Sequence, residues 1–508
     1  FTAPDTLQLA ANATLTGAGT ITVATLTLSD LALTLASTNL TVTNVVTFDN
    51  ANEQILTGSN NLTLSAAPTF TNGTISSTGG TLTFSVTSTI GGGTFDVTGT
   101  TVSQAASFVL SPSTLTTNAS TSWSVPAGQS LTWTTGGTFY GSLALAGASA
   151  ALVVNTTSPV IAATVSSAGG RLDFDVDTTF NTSGSITMSA DTEIDIASGK
   201  VVSYSGAAIN IGANTLTFTG DGTFTNSNDI NLSVAGSTLA LNSSGTINRV
   251  SVVDTAANPN ITVAGGNNFS INYLTLYNSA TITATGTLTI NSSLTTNTNA
   301  VELTLSGTVT AHDIILFSDL DIDGTLTLAG DSTLMAKATG DVTFGPGSNL
   351  TFPDGLIVDN GTTLKINDSD VAGLTVTIEG GTTITGTGVV SLEGDENLTF
   401  QNPTPDSTAL AKVTDASSGT LTPVPPITGF AAAGNNTTMQ IELSWTNTNS
   451  VNVYICRSTL GYLSVPCSSS PVYNAAGAGS PAVTDTVLSD GVTYYYTAFS
   501  YSGGIVTP

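Results

Sequence analysis

The chain has 508 residues, with 34 acidic side chains against 7 basic ones and a net charge of −27, yet only 8% of it is charged. A 40% hydrophobic share and a mean hydropathy of +0.27 exclude a disordered chain, which needs low hydrophobicity and dense charge. No apolar run approaches the roughly eighteen residues of a membrane-crossing helix, and no basic patch exists to neutralise phosphate, so membrane insertion and nucleic-acid or anionic-lipid binding are excluded.

Thr forms about a fifth of the sequence and Gly contributes 51 residues, while Lys, Arg and Glu are scarce. Thr and Val favour strands, and the missing residues are the helix formers, so the composition predicts an all-β protein. Short alternating runs recur along the chain, among them Thr20–Val23, Thr81–Phe84, Thr287–Ile290 and Thr325–Leu328. In each, apolar residues fall on one face.

Charge is unevenly placed. Residues 1–170 hold Asp5, Asp30, Asp49, Glu53 and Asp96, and the first basic residue is Arg171. Residues 171–402 carry most of the remaining acids. An uncharged surface is poorly protected against association, so the first third is expected to bury against another subunit. The segment Phe1–Ala10, with Phe1, Thr2, Leu7 and Leu9, is the expected N-terminal contact.

Gly286, Gly307, Gly324, Gly340, Gly361 and Gly381 precede comparable strands at a spacing of about 19 residues. A strand–turn unit repeated at this length, without helices, predicts a solenoid. One coil of short strands cannot bury its own apolar face, whereas stacked coils satisfy the backbone and build a continuous core. About 400 residues would give roughly 20 coils and, at ~4.8 Å per strand, a rod about 100 Å long. This region resembles the right-handed parallel β-helix of bacterial filamentous-haemagglutinin-type adhesins in repeat length and Gly-Thr-Leu-Thr-Leu texture.

Residues 403–426 carry Pro403, Pro405, Pro423, Pro425 and Pro426 among Ser and Thr, which reads as a semi-rigid linker. In residues 427–508, Met439–Trp445, Val451–Arg457 and Leu488–Phe499 resemble strands B, C and F of a fibronectin type III domain. The resemblance places Trp445 in the core and Tyr494 at the tyrosine corner. After Tyr501 little sequence remains for a last strand. The end is then either a frayed edge or a gap filled by a neighbour's strand, with Ile505 and Val506 at the contact. Cys456 and Cys467 close a loop of about ten residues and read as a local disulfide of an oxidising compartment. The start at Phe1 rather than Met suggests a removed signal peptide. Together these place the protein outside the cytoplasm, secreted or on the surface of a prokaryotic cell.

Few residues could carry chemistry. His312 is the sole histidine, without a nucleophile elbow or further imidazoles, and reads as a structural or surface residue. Asp319, Asp321 and Asp323 share the D-x-D-x-D-G spelling of an EF-hand start but lack its downstream Glu. Alternation puts their carboxylates on one outer face, as it does in the runs Asp173–Asp177 and Asp191–Asp195. A solvated face is one reading and a Ca²⁺ site at Asp319, Asp321 and Asp323 the other; no other cofactor is expected. A β-helix polysaccharide lyase would need a base beside an acid, for which Arg171, Arg249, Lys337 and Lys365 are the available residues, none in a family motif. Trp123, Trp133, Tyr140, Tyr273 and Tyr277 could stack on sugars or simply pack. Asn-x-Ser/Thr triplets, as at Asn39, Asn61, Asn118, Asn349 and Asn397, are as frequent as the composition dictates.

The expected function is therefore structural rather than enzymatic: a homopolymeric subunit of an extracellular filament, fibre or surface layer, joined by coil stacking or strand exchange. A monomeric adhesin stalk with a glycan or cell-surface ligand is the alternative, and a polysaccharide lyase the second alternative.

Overall fold

The computed structural model describes residues 5–253, 258–297 and 300–323 continuously; beyond them it describes the strands and some flanking residues, with no side chains between 328 and 429. Every regular element among the described residues is a β-strand. The architecture is a parallel β-solenoid of about 15 turns with coils of about 21 residues, followed by antiparallel sheets. Two compact units divide the chain, Phe1–Ile290 and Asn291–Pro508.

In the first unit each coil supplies one strand to each of three parallel sheets. Thr94–Asp96 belongs to the first sheet, Thr101–Gln104 to the second and Phe108–Leu110 to the third; Thr114–Thr116 then returns to the first, directly beside Thr94–Asp96. Pairing is parallel and in register from coil to coil: Leu40 lies beside Leu62, Leu62 beside Leu82, and Val102 beside Trp123. Alternation of burial along strands such as Ala32–Leu35 and Thr81–Phe84 sends Leu and Phe inward and Thr outward. Each fully buried Leu, Ile or Phe stabilises by about 1.5–3 kcal/mol. The inward aromatics touch in chains: Phe84, Phe108 and Trp123 form one, with centroids 4.7 and 5.3 Å apart, and Phe180, Tyr204 and Phe224 another.

Corners are built by side chains that reach the adjacent coil. Asn39 Oδ1 accepts the N–H of Asn61 at 2.8 Å, and Asn61 Oδ1 accepts that of Thr81 at 2.7 Å. Asp177 and Asp191 do the same for Val201 and Thr215. Corner hydroxyls donate to backbone carbonyls, as Thr38 does to Gly17 and Thr121 to Val97. This is why Asn, Asp, Ser and Thr concentrate there: each satisfies a backbone group that the turn leaves unpaired. At Gly141, where strand Gly137–Leu145 bends from the first sheet into the second, φ is +98° and a Cβ would lie 2.0 Å from the Thr121 carbonyl oxygen. Only glycine fits such a backbone.

In the second unit, strand Val301–Leu316 runs through all three sheets. Its burial alternates in three runs, interrupted at Ser306–Thr308 and at His312–Asp313. The three runs pair with Leu320–Asp323, Thr325–Leu328 and Leu334–Ala336 of the following coil. The parallel ladder continues to Val413–Asp415, which pairs with Val390–Leu392 inside the segment expected to be linker.

Coils here lengthen to as many as 28 residues, the distance between paired Gly355 and Thr383. The expected period of 19 is therefore short. The glycine ladder mixed faces: the strand after Gly324 pairs with Asn349–Phe352, whereas Gly340 begins a strand that pairs with Leu320–Asp323. Steps between different sheets are shorter than one coil.

The C-terminal antiparallel part has two sheets. Thr428–Asn435, Gln440–Thr446 and Ala482–Asp485 form one; Tyr473–Ala476, Asn452–Ser458, Tyr495–Ser502 and Ile505–Thr507 form the other. Leu443 and Trp445 from the first sheet share a core with Val453, Ile455, Tyr496 and Ala498 from the second, as in a small β-sandwich. The place expected for a frayed end or a neighbour's strand holds the chain's own three-residue strand, Ile505–Thr507, paired with Tyr495–Ser502.

Candidate functional site

In the first unit, the coil nearest the N-terminus leaves its inward apolar residues partly uncovered; Leu115, on the one-sided strand Thr114–Thr116, is half-exposed as well. Among the described residues Ala13–Leu15 and Thr20–Val23 pair on one side only, with Ala32–Leu35 and Asn39–Val42. Ala13, Leu15 and Ile21 point to the core line but stay half-exposed, whereas their partners Leu33, Leu35 and Leu40 are at most 2% exposed. Leu9 is buried and Leu7 half-buried; Phe1 and Thr2 lie outside the described residues. The flank behind this edge is even barer of charge than its sequence. Glu53 is buried, and its Oε2 accepts the N–H groups of Asp49 and Asn50 at 2.7 and 3.1 Å. Asp96 is taken up by Ser76 and Thr98.

The third sheet turns acidic at Arg171. Register places Arg171 beside Glu193 and Asp173 beside Asp195. The Arg171 guanidinium lies 3.2 Å from Asp173 and 3.6 Å from Glu193, and also pairs with Asp195. Burial raises the Asp173 pKa; Arg171 opposes the shift, and Asp175, Asp195 and Glu193 add to it. One cation thus holds together three carboxylates that would otherwise repel. The expected alternation ends at Phe174, where the strand ends; Asp175 and Asp177 are exposed at the corner beyond it. Arg249 occupies a second charged corner, with Nε 2.7 Å from Asp229 and the guanidinium 5.6 Å from the Tyr273 ring centre. Neither arginine is a free base. Lys337 and Lys365 have no described side chains.

Asp319 and Asp321 are half-exposed and flank buried Leu320, as alternation requires. The side chain of Asp323 lies outside the described residues. Among the described residues no group of three or more His, Cys, Asp or Glu could hold a metal ion. His312 is half-exposed at a corner, its Nδ1 3.1 Å from Asp313 Oδ1.

Trp123 and Trp133 are each 1% exposed and belong to the core, so they are closed to sugars. Tyr140 and Tyr273 are exposed, at 43% and 41%, and Tyr277 is half-buried. Two open polar grooves lie on the surface of the first unit, one lined by Thr135, Asn155, Thr157 and Lys200, the other by Ser149, Arg171, Asp191 and Glu193.

Three buried polar residues gave no functional signal in sequence. Gln104 takes an inward position, accepting from Trp123 Nε1 at 2.8 Å and donating to the Ala106 and Ser130 carbonyls. Asn226 uses all four of its hydrogen-bonding positions on the backbones of Asn228, Asn248 and Arg249. Tyr204 donates to the Ala207 carbonyl and accepts from the Ile186 N–H; burial raises its pKa. A polar residue where alternation demands an apolar one, as in Thr101-Val-Ser-Gln104, is the signal that could have found them.

In the C-terminal part, Tyr494 Oη accepts the N–H of Ser489 at 2.8 Å. Arg457 donates from Nη1 to both oxygens of Asp485, at 3.0 and 2.9 Å, and Tyr496 donates to the same carboxylate. Arg457 and Tyr496 lie in one sheet and Asp485 in the other, so this trio, with Asp485 and Tyr496 buried and Arg457 half-buried, ties the sheets together. Burial, then the Asp485 bond, raises the Tyr496 pKa. Cys456 is fully buried, and Cys467 lies outside the described residues. The positions Ile505 and Val506 lie in the last strand, beside Ser502 and Tyr501.

No protein-family model, curated protein or solved structure matches this chain. Its class rests on its own geometry, which is that of a parallel β-solenoid carrying C-terminal antiparallel sheets.

Proposed function

We propose that the protein is a structural subunit of an extracellular prokaryotic filament, fibre or surface layer, assembled from copies of itself. The observation that carries this reading is the half-exposed apolar line Ala13, Leu15 and Ile21, on strands that among the described residues pair on one side only. A strand edge with half-exposed core residues is a template for another parallel strand, and a head-to-tail contact that does not close propagates. The nearly uncharged flank removes the repulsion that a net charge of −27 would otherwise impose. The resemblance to filamentous-haemagglutinin-type solenoids supports the same reading.

The C-terminal part is read as a fibronectin type III-like domain. A three-plus-four strand arrangement, Trp445 in the core and the Tyr494–Ser489 bond support this. A Cys456–Cys467 disulfide and secretion are part of the proposal.

A glycan-binding stalk is the second reading, favoured by exposed Tyr140 and Tyr273. Catalysis is disfavoured by arginines already engaged with carboxylates. The experiment is negative-stain microscopy of the purified chain beside Ile21→Lys, which places a charge on the half-exposed edge. Filaments or sheets from the parent and their loss in the variant support the proposal; a parent that stays dispersed at every salt and Ca²⁺ concentration defeats it.

A further inference from the structure

The outer face of the second sheet carries two columns of neutral polar side chains. They run in unbroken register from Thr20 and Thr22 to Ser185 and Thr187, through about nine coils. Apart from Ala144, every outward position is Thr, Ser or Asn, and no charged residue interrupts the columns. Neighbouring rungs bond to each other: Ser122 Oγ donates to Thr101 Oγ1 and Ser185 Oγ to Thr164 Oγ1, each at 3.1 Å. Farther along, the same sheet acquires the ion pair of Asp229 and Arg249. The third sheet acquires its own charges already at Arg171.

We infer that this face pairs laterally with the same face of a second copy. The inference rests on the self-association reading but not on the coil edge. A two-fold contact presents one surface to itself, so it needs groups that complement their own kind. A hydroxyl or amide both donates and accepts and does so; a carboxylate or ammonium face repels its copy. Small side chains of similar size stacked at strand spacing also interdigitate well with a facing sheet. In a molecule of net charge −27, such a neutral strip is where two copies approach at least electrostatic cost. Its size sets the strength. About eight steps of ~4.8 Å by four residues of ~3.3 Å give roughly 500 Å² per copy. Both copies together bury about 1,000 Å², the lower limit for a specific interface. The pair therefore forms at high concentration and dissociates on dilution.

The test is sedimentation velocity over a concentration series, with the edge blocked by Ile21→Lys so that end-to-end stacking does not contribute. Pairs that form in this background, survive Thr83→Val and disappear in Thr83→Lys with Ser103→Lys support the inference. Circular dichroism matching the parent keeps loss of fold from imitating loss of pairing. An edge-blocked chain that stays monomeric at the highest concentration overturns lateral pairing, whatever becomes of filaments in the parent. So does pairing that persists in the double-lysine variant, or a face that retains a neutral polysaccharide while the chain stays monomeric.

Discussion

Trp123 Nε1 donates to Gln104 Oε1 at 2.8 Å across adjacent coils, and both side chains are almost wholly buried. The same Gln104 donates to the Ala106 and Ser130 carbonyls, so one side chain satisfies a buried indole N–H and two carbonyls of half-buried residues. Gln104→Leu matches the apolar surroundings but removes the partner of the buried Trp123 N–H and two further bonds to the backbone. A buried group orphaned in this way costs about 1–3 kcal/mol. The expected result is a lower melting temperature and protease cleavage appearing near residues 104–130, read by mass spectrometry of the fragments. Gln104→Glu keeps the acceptor for Trp123 and loses both donors, so it should be destabilised too. Unchanged melting in both variants would contradict this account of the core.

Asn226 presents the same logic at a corner. Its carbonyl accepts from the N–H groups of Asn248 and Arg249, and its amide donates to the carbonyls of Asn228 and Arg249. Asn226→Asp preserves shape and both acceptor contacts but removes both donors. Hydrogen exchange should accelerate around residues 226–252 in Asn226→Asp and leave residues 20–104 as in the parent. Uniform protection in both regions would show that the corner does not depend on this side chain.

Arg457 and Asp485 form the one charge pair seen between the C-terminal sheets among the described residues, and Asp485 is 6% exposed. Removing one partner takes away the other's countercharge: Arg457→Met is expected to cost about 3–5 kcal/mol, since the buried carboxylate of Asp485 stays charged without it. Arg457→Met with Asp485→Leu should recover part of the loss. Tyr494→Phe, which deletes the bond to Ser489, should cost about 1 kcal/mol. Urea unfolding of the full-length parent and variants, followed by tryptophan fluorescence, checks the order of these effects.

Asp173 gives a pH dependence with a definite sign. Its pKa is raised above 3.8 in the folded chain, chiefly by burial. Between 3.8 and that higher value the folded state holds more protons than the unfolded state, so this group's contribution to stability grows as pH falls. It is complete below 3.8 and is lost as pH rises through the folded value. Melting temperatures of the parent and Asp173→Asn should diverge as pH rises through this window, with the Asp173→Asn variant the more stable at neutral pH. Parallel pH curves for the two proteins would remove Asp173 as the cause.

Much of the solenoid was legible because its strands obey a period of two. Thr81–Phe84 and Thr20–Val23 show in sequence which side chains go inward, and a chain without helix formers has few other ways to bury them. Tyr494 was legible for a different reason: its role is local, a hydroxyl reaching back five residues to Ser489. The coil length was harder to read. Strands such as Val301–Leu316 cross two corners without a break, so a glycine marks a position in one sheet rather than the start of a coil. The charged site was least legible of all. Arg171 meets Glu193 and Asp195 only because a coil of some 22 residues brings them side by side, and alternation within one strand says nothing about the neighbour above. Cys467, Phe1 and Thr2, with the side chains of Asp323, Ile505 and Val506, lie outside what the structure describes.

Sedimentation velocity combined with negative-stain microscopy of the purified chain, with and without Ile21→Lys, tests the central claim most directly. The account predicts filaments or ordered sheets from the parent whose repeat matches one subunit, and their loss when a lysine enters the half-exposed edge beside Ala13 and Leu15. A parent chain that remains a monomer across salt and Ca²⁺ conditions, or assembly unaffected by the lysine, would contradict it.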